Sequence, residues 1–121
     1  MVPAYTQSCE GWATWYDAPD GALMKGGEQY DREGHTCAVP HELWLDLRGK
    51  EVLVVMAEEG VPSWESRQVI LEVADTGRLA EAGMREGLPY VADMPVGIFE
   101  RYFGARDMGR FHALVLVLEG T

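Results

Sequence analysis

Ala113-Leu114-Val115-Leu116-Val117-Leu118, the end of an apolar stretch that begins at Phe111, decides the fold class. A strand with one face in solvent alternates apolar and polar residues. An unbroken apolar run is instead a strand covered on both faces, by a barrel interior on one side and a helix or loop on the other. Upstream of it the chain is a series of similar short runs parted by turn residues. Trp12-Ala13-Thr14-Trp15-Tyr16 is aromatic and β-branched and stops at Ala18-Pro19-Asp20-Gly21. Thr36 to Val39 ends at Pro40, and Arg48-Gly49-Lys50 turns into Glu51-Val52-Leu53-Val54-Val55-Met56. After Glu58-Glu59-Gly60-Val61-Pro62, the run Gln68 to Ala74 stops at Asp75-Thr76-Gly77. One amphipathic helix is expected near residues 95–103. Pro95 suits a first helical turn, Val96, Phe99, Tyr102 and Phe103 share a face, and Gly104 is a helix stop. About six short strands and one helix fit a closed, mainly β barrel, since an open α/β sheet needs more crossover helices.

The 121 residues suit one domain, with 1–10 expected as an N-terminal extension and 11–121 as a single barrel. No internal repeat is visible. Acids number 20 against 10 Lys and Arg, a net charge of -10, so no basic face is offered to nucleic-acid phosphates or to anionic lipid. No apolar run reaches the ~18 residues of a membrane span, and the first ten residues lack a basic-then-apolar signal pattern. Cys9 and Cys37 have no CxxC spacing, and beside them stand only His35, His41 and His112, so no zinc site is expected. A Cys9–Cys37 bridge, worth ~3 kcal/mol by restricting the unfolded chain, is expected in preference to two buried thiols. Residues 20–36, with Gly21, Gly26, Gly27 and Gly34, form a long irregular loop, and such loops in small domains tend to carry function.

Five motifs then follow the order of a known family. Gly11-Trp12-Ala13-Thr14-Trp15-Tyr16 resembles the opening Gly-x-Ala-Ser-Trp-Tyr strand of rare lipoprotein A domains, and Gly27-Glu28-Gln29-Tyr30-Asp31 is similar to their Gly-Glu-x-Tyr-Asp loop. Thr36-Cys37-Ala38-Val39-Pro40 stands where the family has Thr-Ala-Ala-His, and Val73-Ala74-Asp75-Thr76-Gly77 resembles its Val-Asn-Asp-Arg-Gly. Val91-Ala92-Asp93-Met94-Pro95, running into Phe99, is similar to the Ile-Asp-Leu-Ser that opens the family's helix. The resemblance spans residues 11–118 and implies a six-stranded double-psi β-barrel. Expansins, barwin, family-45 endoglucanases and the catalytic domain of membrane-bound lytic transglycosylase A share that fold. Asp75-Thr76-Gly77 is more similar to that last enzyme and to three-aspartate domains. The resemblance further implies a polysaccharide partner, peptidoglycan or β-glucan, lying in a groove across the barrel. It implies an extracellular, periplasmic or virion-associated monomer that uses no cofactor and no metal.

Glycoside cleavage needs a proton delivered to the leaving oxygen. A carboxyl group supplies it when burial or a neighbouring carboxylate holds its pKa up. Asp75, at the end of an apolar strand, takes by resemblance the place of the transglycosylase general acid/base; the alternative for it is an Asx-type turn cap. Asp17 follows Trp15-Tyr16, one residue out of step with the general base of the family-45 endoglucanases, and otherwise reads as a turn residue before Ala18-Pro19. Glu28 aligns with a Glu of rare lipoprotein A at the tip of the glycine-rich loop. The family's His falls on Val39, with His41 two residues on and His35 in the loop. Sugar faces stack on aromatic rings, and Trp12 and Trp15 face opposite sides of their strand. The expected ligand contacts are Tyr16, Trp15, Tyr30, His41, Trp64 and Thr76, with Trp64 the exposed one. The leading function is cleavage of peptidoglycan strands, as a lytic transglycosylase or glycosidase, with Asp75 as acid/base. The alternative is a non-catalytic glycan-binding, wall-loosening or structural module, as in a phage tail or secreted assembly.

Overall fold

The computed structural model describes residues 3–62, 65–77 and 79–120. Its strands are β1 (Tyr5–Tyr16), β2 (Thr36–Pro40), β3 (Glu51–Met56), β4 (Gln68–Gly77), β5 (Tyr90–Pro95) and β6 (Arg110–Leu118). Two seven-residue helices, α1 (His41–Leu47) and α2 (Val96–Tyr102), follow β2 and β5. The strands close into one barrel in the order β1-β5-β2-β4-β3-β6, which leaves no open sheet edge. This is the mainly β, six-stranded architecture expected from the sequence. Ala113, Val115 and Val117 of the decisive run point inward with Ala13, Val54, Val73 and Ala92. On the other face of β6, Leu116 is covered by Leu53 and Val55, while Leu114 stays partly exposed.

The barrel consists of two interlocked halves with matching registers. Parallel β1 and β5 pair Thr14 with Asp93, Trp15 with Met94 and Tyr16 with Pro95. Parallel β4 and β2 pair Asp75 with Ala38, Thr76 with Val39 and Gly77 with Pro40. Each half then enters its helix through proline: Pro40 has φ -55° and ψ 149°, Pro95 φ -56° and ψ 142°. A proline tolerates this junction because its fixed φ suits it and no intrahelical N–H is needed there. The halves meet where β2 and β5 pair antiparallel at Ala38 and Asp93. The sequence shows no such repeat because the halves share backbone register rather than side chains.

Four expectations are corrected. Residues 5–10, expected as an extension, are the first half of β1 and pair with β6 from Tyr5–Leu118 onward. Backbone pairing holds them and their side chains are mostly exposed, so the hydrophobic pattern carries no trace of the strand. Val91 to Pro95, likened to the residues that open the family's helix, is strand β5, and the helix expected near residues 95–103 runs over Val96–Tyr102. Helix α1 was not expected at all: it is short, with Trp44 and Leu47 buried and Leu43 packed against the core half-buried. Cys9 and Cys37 are free thiols rather than a bridge. They sit on β1 and β2 with β5 between them. One step from the Ala38–Asp93 pair, Cys37 stands level with Met94 and so with Trp15, six residues along β1 from Cys9, whereas a disulfide needs Cα atoms about 4.4–6.8 Å apart.

Gly11 lets β1 approach closely the residue that precedes β5. The Trp12 N–H donates to the Pro89 carbonyl at 2.8 Å, and a Cβ on Gly11 would collide with that same carbonyl oxygen and with Val91. Among the described residues no helix is long and apolar enough to cross a membrane. Trp64, expected as an exposed ligand contact, lies outside the described residues.

Candidate functional site

The registers string five residues into one row across five neighbouring strands. Arg110 on β6 pairs with Thr14 on β1, Thr14 with Asp93 on β5, Asp93 with Ala38 on β2, and Ala38 with Asp75 on β4. Directly paired residues share a face of the sheet, so a cation and two carboxylic acids lie on one line. Two strand spacings of about 4.8 Å separate the Asp93 and Asp75 backbones by about 10 Å.

Asp93 is the most perturbed acid of the row. Burial disfavours its charged form and pushes its pKa up to about 7. Near neutrality about half of it is therefore protonated and able to give a proton. Tyr16 lies close enough to sense both acids: burial raises its phenol pKa first, and the charges of Asp75, Tyr30, Cys37 and Asp93 add to the shift. Its hydroxyl points at the Met24 sulfur, 3.6 Å away.

Asp75 is held differently. Its Oδ1 accepts the backbone N–H of Lys25 and of Thr76, both at 2.9 Å, and Gly26 N–H donates to the Ala74 carbonyl, also at 2.9 Å. The glycine-rich loop is thereby laid along the end of β4. It is seated by Met24 and Tyr30, buried with Ala74 beneath Tyr16. Beside Asp75, the Thr76 hydroxyl donates to the Val39 carbonyl at 2.8 Å and lies 3.1 Å from His41 Nδ1. A hydroxyl has one proton, and a carbonyl can only accept it. His41 Nδ1 must therefore carry the hydrogen shared with Thr76, which in the neutral ring leaves Nε2 as an acceptor. Thr76, His41, Asp75, Met24, Lys25 and Trp44 line a depression of about 390 Å³.

The remaining expected residues are placed as follows. Asp17 Oδ1 accepts Ala18 N–H at 3.0 Å and the Tyr30 hydroxyl at 3.1 Å, and pairs with Arg32 at 3.4 Å. It fastens the loop. The Tyr30 hydroxyl also lies 3.0 Å from the Tyr16 carbonyl and shares its single proton between that oxygen and Asp17, and burial with the Asp17 bond pushes its pKa up to about 12. Glu28 hydrogen-bonds Glu72, whose pKa is raised chiefly by that bond, then by burial and by the charges of Glu28 and Glu51. The pair borders a second depression, about 370 Å³, next to Trp44 and Arg48. Trp15 packs against the main core and donates its indole N–H to the Arg106 carbonyl at 2.8 Å, away from both depressions. His35 turns to the Tyr102 hydroxyl at 2.9 Å and not to Asp75. Val39 is buried in the core, and His41 is the first residue of α1.

Thr14, Asp93 and Arg110 were not singled out in the sequence. The trace was there for Asp93: one acid inside the apolar run Val91-Ala92-Asp93-Met94, two residues before a proline. Among the described residues no group of three or more His, Cys, Asp or Glu is arranged to hold a metal ion.

No protein-family model matches the chain, and no curated protein matches it. Solved structures do. An apo expansin from Clavibacter michiganensis superposes with a TM-score of 0.67 at 16% identity, over 95% of this chain and 52% of its own. The Streptomyces papain inhibitor superposes with a TM-score of 0.64 at 17% identity, over 98% of this chain and 100% of its own. The chain thus spans about half the length of the expansin. At these identities the likeness is one of fold, and the fold is the expansin-like double-psi barrel.

Proposed function

We propose that the chain engages cell-wall glycan along the Arg110–Thr14–Asp93–Ala38–Asp75 row and cleaves it there, with Asp93 as the acid and Asp75 as the base. The observation that carries this reading is the Asp93 carboxyl, set in register with a second, backbone-anchored carboxylate and with its pKa raised by burial to about 7, so that it is partly protonated near neutral pH. Their backbone separation of about 10 Å is of the scale of the acid–base pairs of inverting glycosidases, about 6.5–9.5 Å between carboxyls. Asp93 gives its proton to the glycosidic oxygen as the C1–O bond breaks. The incoming oxygen, from water or from the muramyl hydroxyl of the same sugar, bonds to C1 and passes its proton to Asp75. Water yields a reducing end, and the internal hydroxyl yields an anhydromuramyl end. His41 and Thr76 offer hydrogen bonds to sugar hydroxyls beside Asp75. The rare lipoprotein A-like motif order and the expansin-like barrel support the polysaccharide class and an extracellular setting.

The test is digestion of purified peptidoglycan and amorphous cellulose by wild type, Asp93→Asn and Asp75→Asn, with products read by mass spectrometry. Anhydromuramyl or reducing ends from wild type, lost in Asp93→Asn, support the reading. Absence of products from folded wild type, with retention on the polymer, replaces it by the non-catalytic glycan-binding or wall-loosening module. A protein partner is a second reading, drawn from the end-to-end correspondence with the papain inhibitor; inhibition of papain in a peptide-cleavage assay would favour it.

A further inference from the structure

Arg110 differs from the other paired arginines. Arg32, Arg67 and Arg106 each face a carboxylate, on Asp17, Glu58 and Glu100. Arg110, among the described residues, makes no ion pair, although the chain carries twice as many acids as Lys and Arg. Its guanidinium lies 4.6 Å above the Trp12 ring and donates one hydrogen bond, to the Tyr90 hydroxyl at 3.3 Å. Trp12 is itself fixed through its indole N–H, bonded to the Arg85 carbonyl at 2.8 Å. Cation–π stacking thus holds the guanidinium plane while most of its five N–H donors have no acceptor among the described residues. These groups open into a depression of about 510 Å³ that Thr14 also lines.

A planar fork of donors on a rigid aromatic support matches a carboxylate in two parallel hydrogen bonds. The Thr14 and Tyr90 hydroxyls beside it suit the hydroxyls of a sugar ring. We propose that Arg110, supported by Trp12, Thr14 and Tyr90, is a specificity subsite for a sugar bearing a carboxylate. This rests on the glycan reading above and narrows it to acidic glycans. Arg110 and Asp93 flank Thr14 in the row, so their backbones lie about 10 Å apart. An acidic sugar held at Arg110 therefore presents a nearby glycosidic bond of the same strand to Asp93. The local cation also answers the adverse long-range field of a chain with net charge -10.

The experiment is affinity electrophoresis on ice of wild type, Arg110→Gln and Arg110→Lys. Three glycans are used: neutral N-acetylated chito-oligomers, glycan strands stripped of peptide (lactyl carboxylates) and oligogalacturonate (uronic carboxylates). Wild type should bind at least one acidic glycan about tenfold or more tightly than the chito-oligomer, as a charge-assisted pair implies. Arg110→Gln should bring that ratio to about one and Arg110→Lys to an intermediate value, and salt should shrink the wild-type ratio. Preference for stripped strands identifies the lactyl carboxylate and preference for oligogalacturonate the uronic one; either supports the subsite. Equal binding of neutral and acidic glycans by wild type, or a ratio unchanged in both variants, overturns the subsite and leaves the glycan reading standing. Failure of wild type to bind any of the three overturns the subsite, and with neither products from nor retention on peptidoglycan and cellulose it overturns the glycan reading as well. Thermal midpoints verify folding, and Arg110→Lys, which retains the charge and the stem, carries the test if Arg110→Gln does not fold.

Discussion

Ala38 on β2 and Asp93 on β5 face each other at the register point where the two halves of the barrel meet, each two residues before the proline that opens a helix. The backbone treats them as equivalents. The side chains do not: one half places a methyl group there and the other a buried carboxyl. The barrel is symmetric in register and one-sided in chemistry, which gives a row of residues a single proton donor near its middle.

Asp93→Asn should change how stability depends on pH. The folded carboxyl titrates near 7 against an ordinary value of 3.8, so between those values the folded state binds more protons than the unfolded one. Stability from this group is complete below about pH 4 and is lost as pH rises through 7, by up to ~4 kcal/mol. Subtracting the variant's urea-unfolding free energies from those of wild type across pH 4–8 isolates the effect; a flat difference refutes the buried-acid assignment.

Gly11→Ala should cost about 3 kcal/mol, because the new methyl group meets the Pro89 carbonyl and Val91 and the barrel must part to admit it. Thermal denaturation would register this as a fall in Tm of roughly 10 °C or more. An unchanged Tm would mean that β1 and β5 are not so closely apposed.

Thr76→Val removes the hydroxyl between the Val39 carbonyl and His41 Nδ1. A loss of about 1–2 kcal/mol is expected from the unpaired carbonyl. The more specific sign is the His41 ring: its Nδ1–H tautomer, read from nitrogen chemical shifts, should be populated in wild type and give way to a mixture in the variant.

Both cysteines should be found reduced. Burial pushes the Cys37 thiol up to about 12 and raises that of Cys9 as well, so neither offers much thiolate near neutral pH. Alkylation in denaturant without reductant should add two groups, whereas the native protein should resist modification at Cys37. A single unmodified mass under both conditions would restore the bridge.

Glu72→Gln should remove a pH response from the glycine-rich loop. Glu72 has a raised pKa, through its bond to Glu28 first, then burial and the charges of Glu28 and Glu51, so that bond is present at low pH and lost as pH rises and Glu72 ionises. Lys25 and Arg48 border the same depression and moderate the repulsion. Hydrogen exchange at the Gly26 amide, corrected for intrinsic rates, should accelerate with pH in wild type and stay level in Glu72→Gln.

The sequence by itself determined the barrel. The unbroken run to Leu118, the turn residues after each apolar stretch and the helix over Val96 to Tyr102 are local signals, and local burial patterns specify element type. Through the resemblance it also named Asp75, Thr76, Tyr16, Tyr30 and His41 as site residues, and these five lie around the end of β4 and the loop laid on it. Tertiary structure alone decided the rest. Tyr5 to Glu10 became strand because β6 supplies backbone partners, which no side-chain pattern records. Trp15 went to the core and Asp17 to fastening the loop, since the strand's pleat and the Arg32 and Tyr30 partners settle where each side chain ends. Asp93 and Arg110 emerged as the charged members of one row only when five strands distant in sequence were brought into register. Periodicity is a property of neighbours along the chain, whereas desolvation of a carboxyl and the meeting of charges across a sheet depend on neighbours in space.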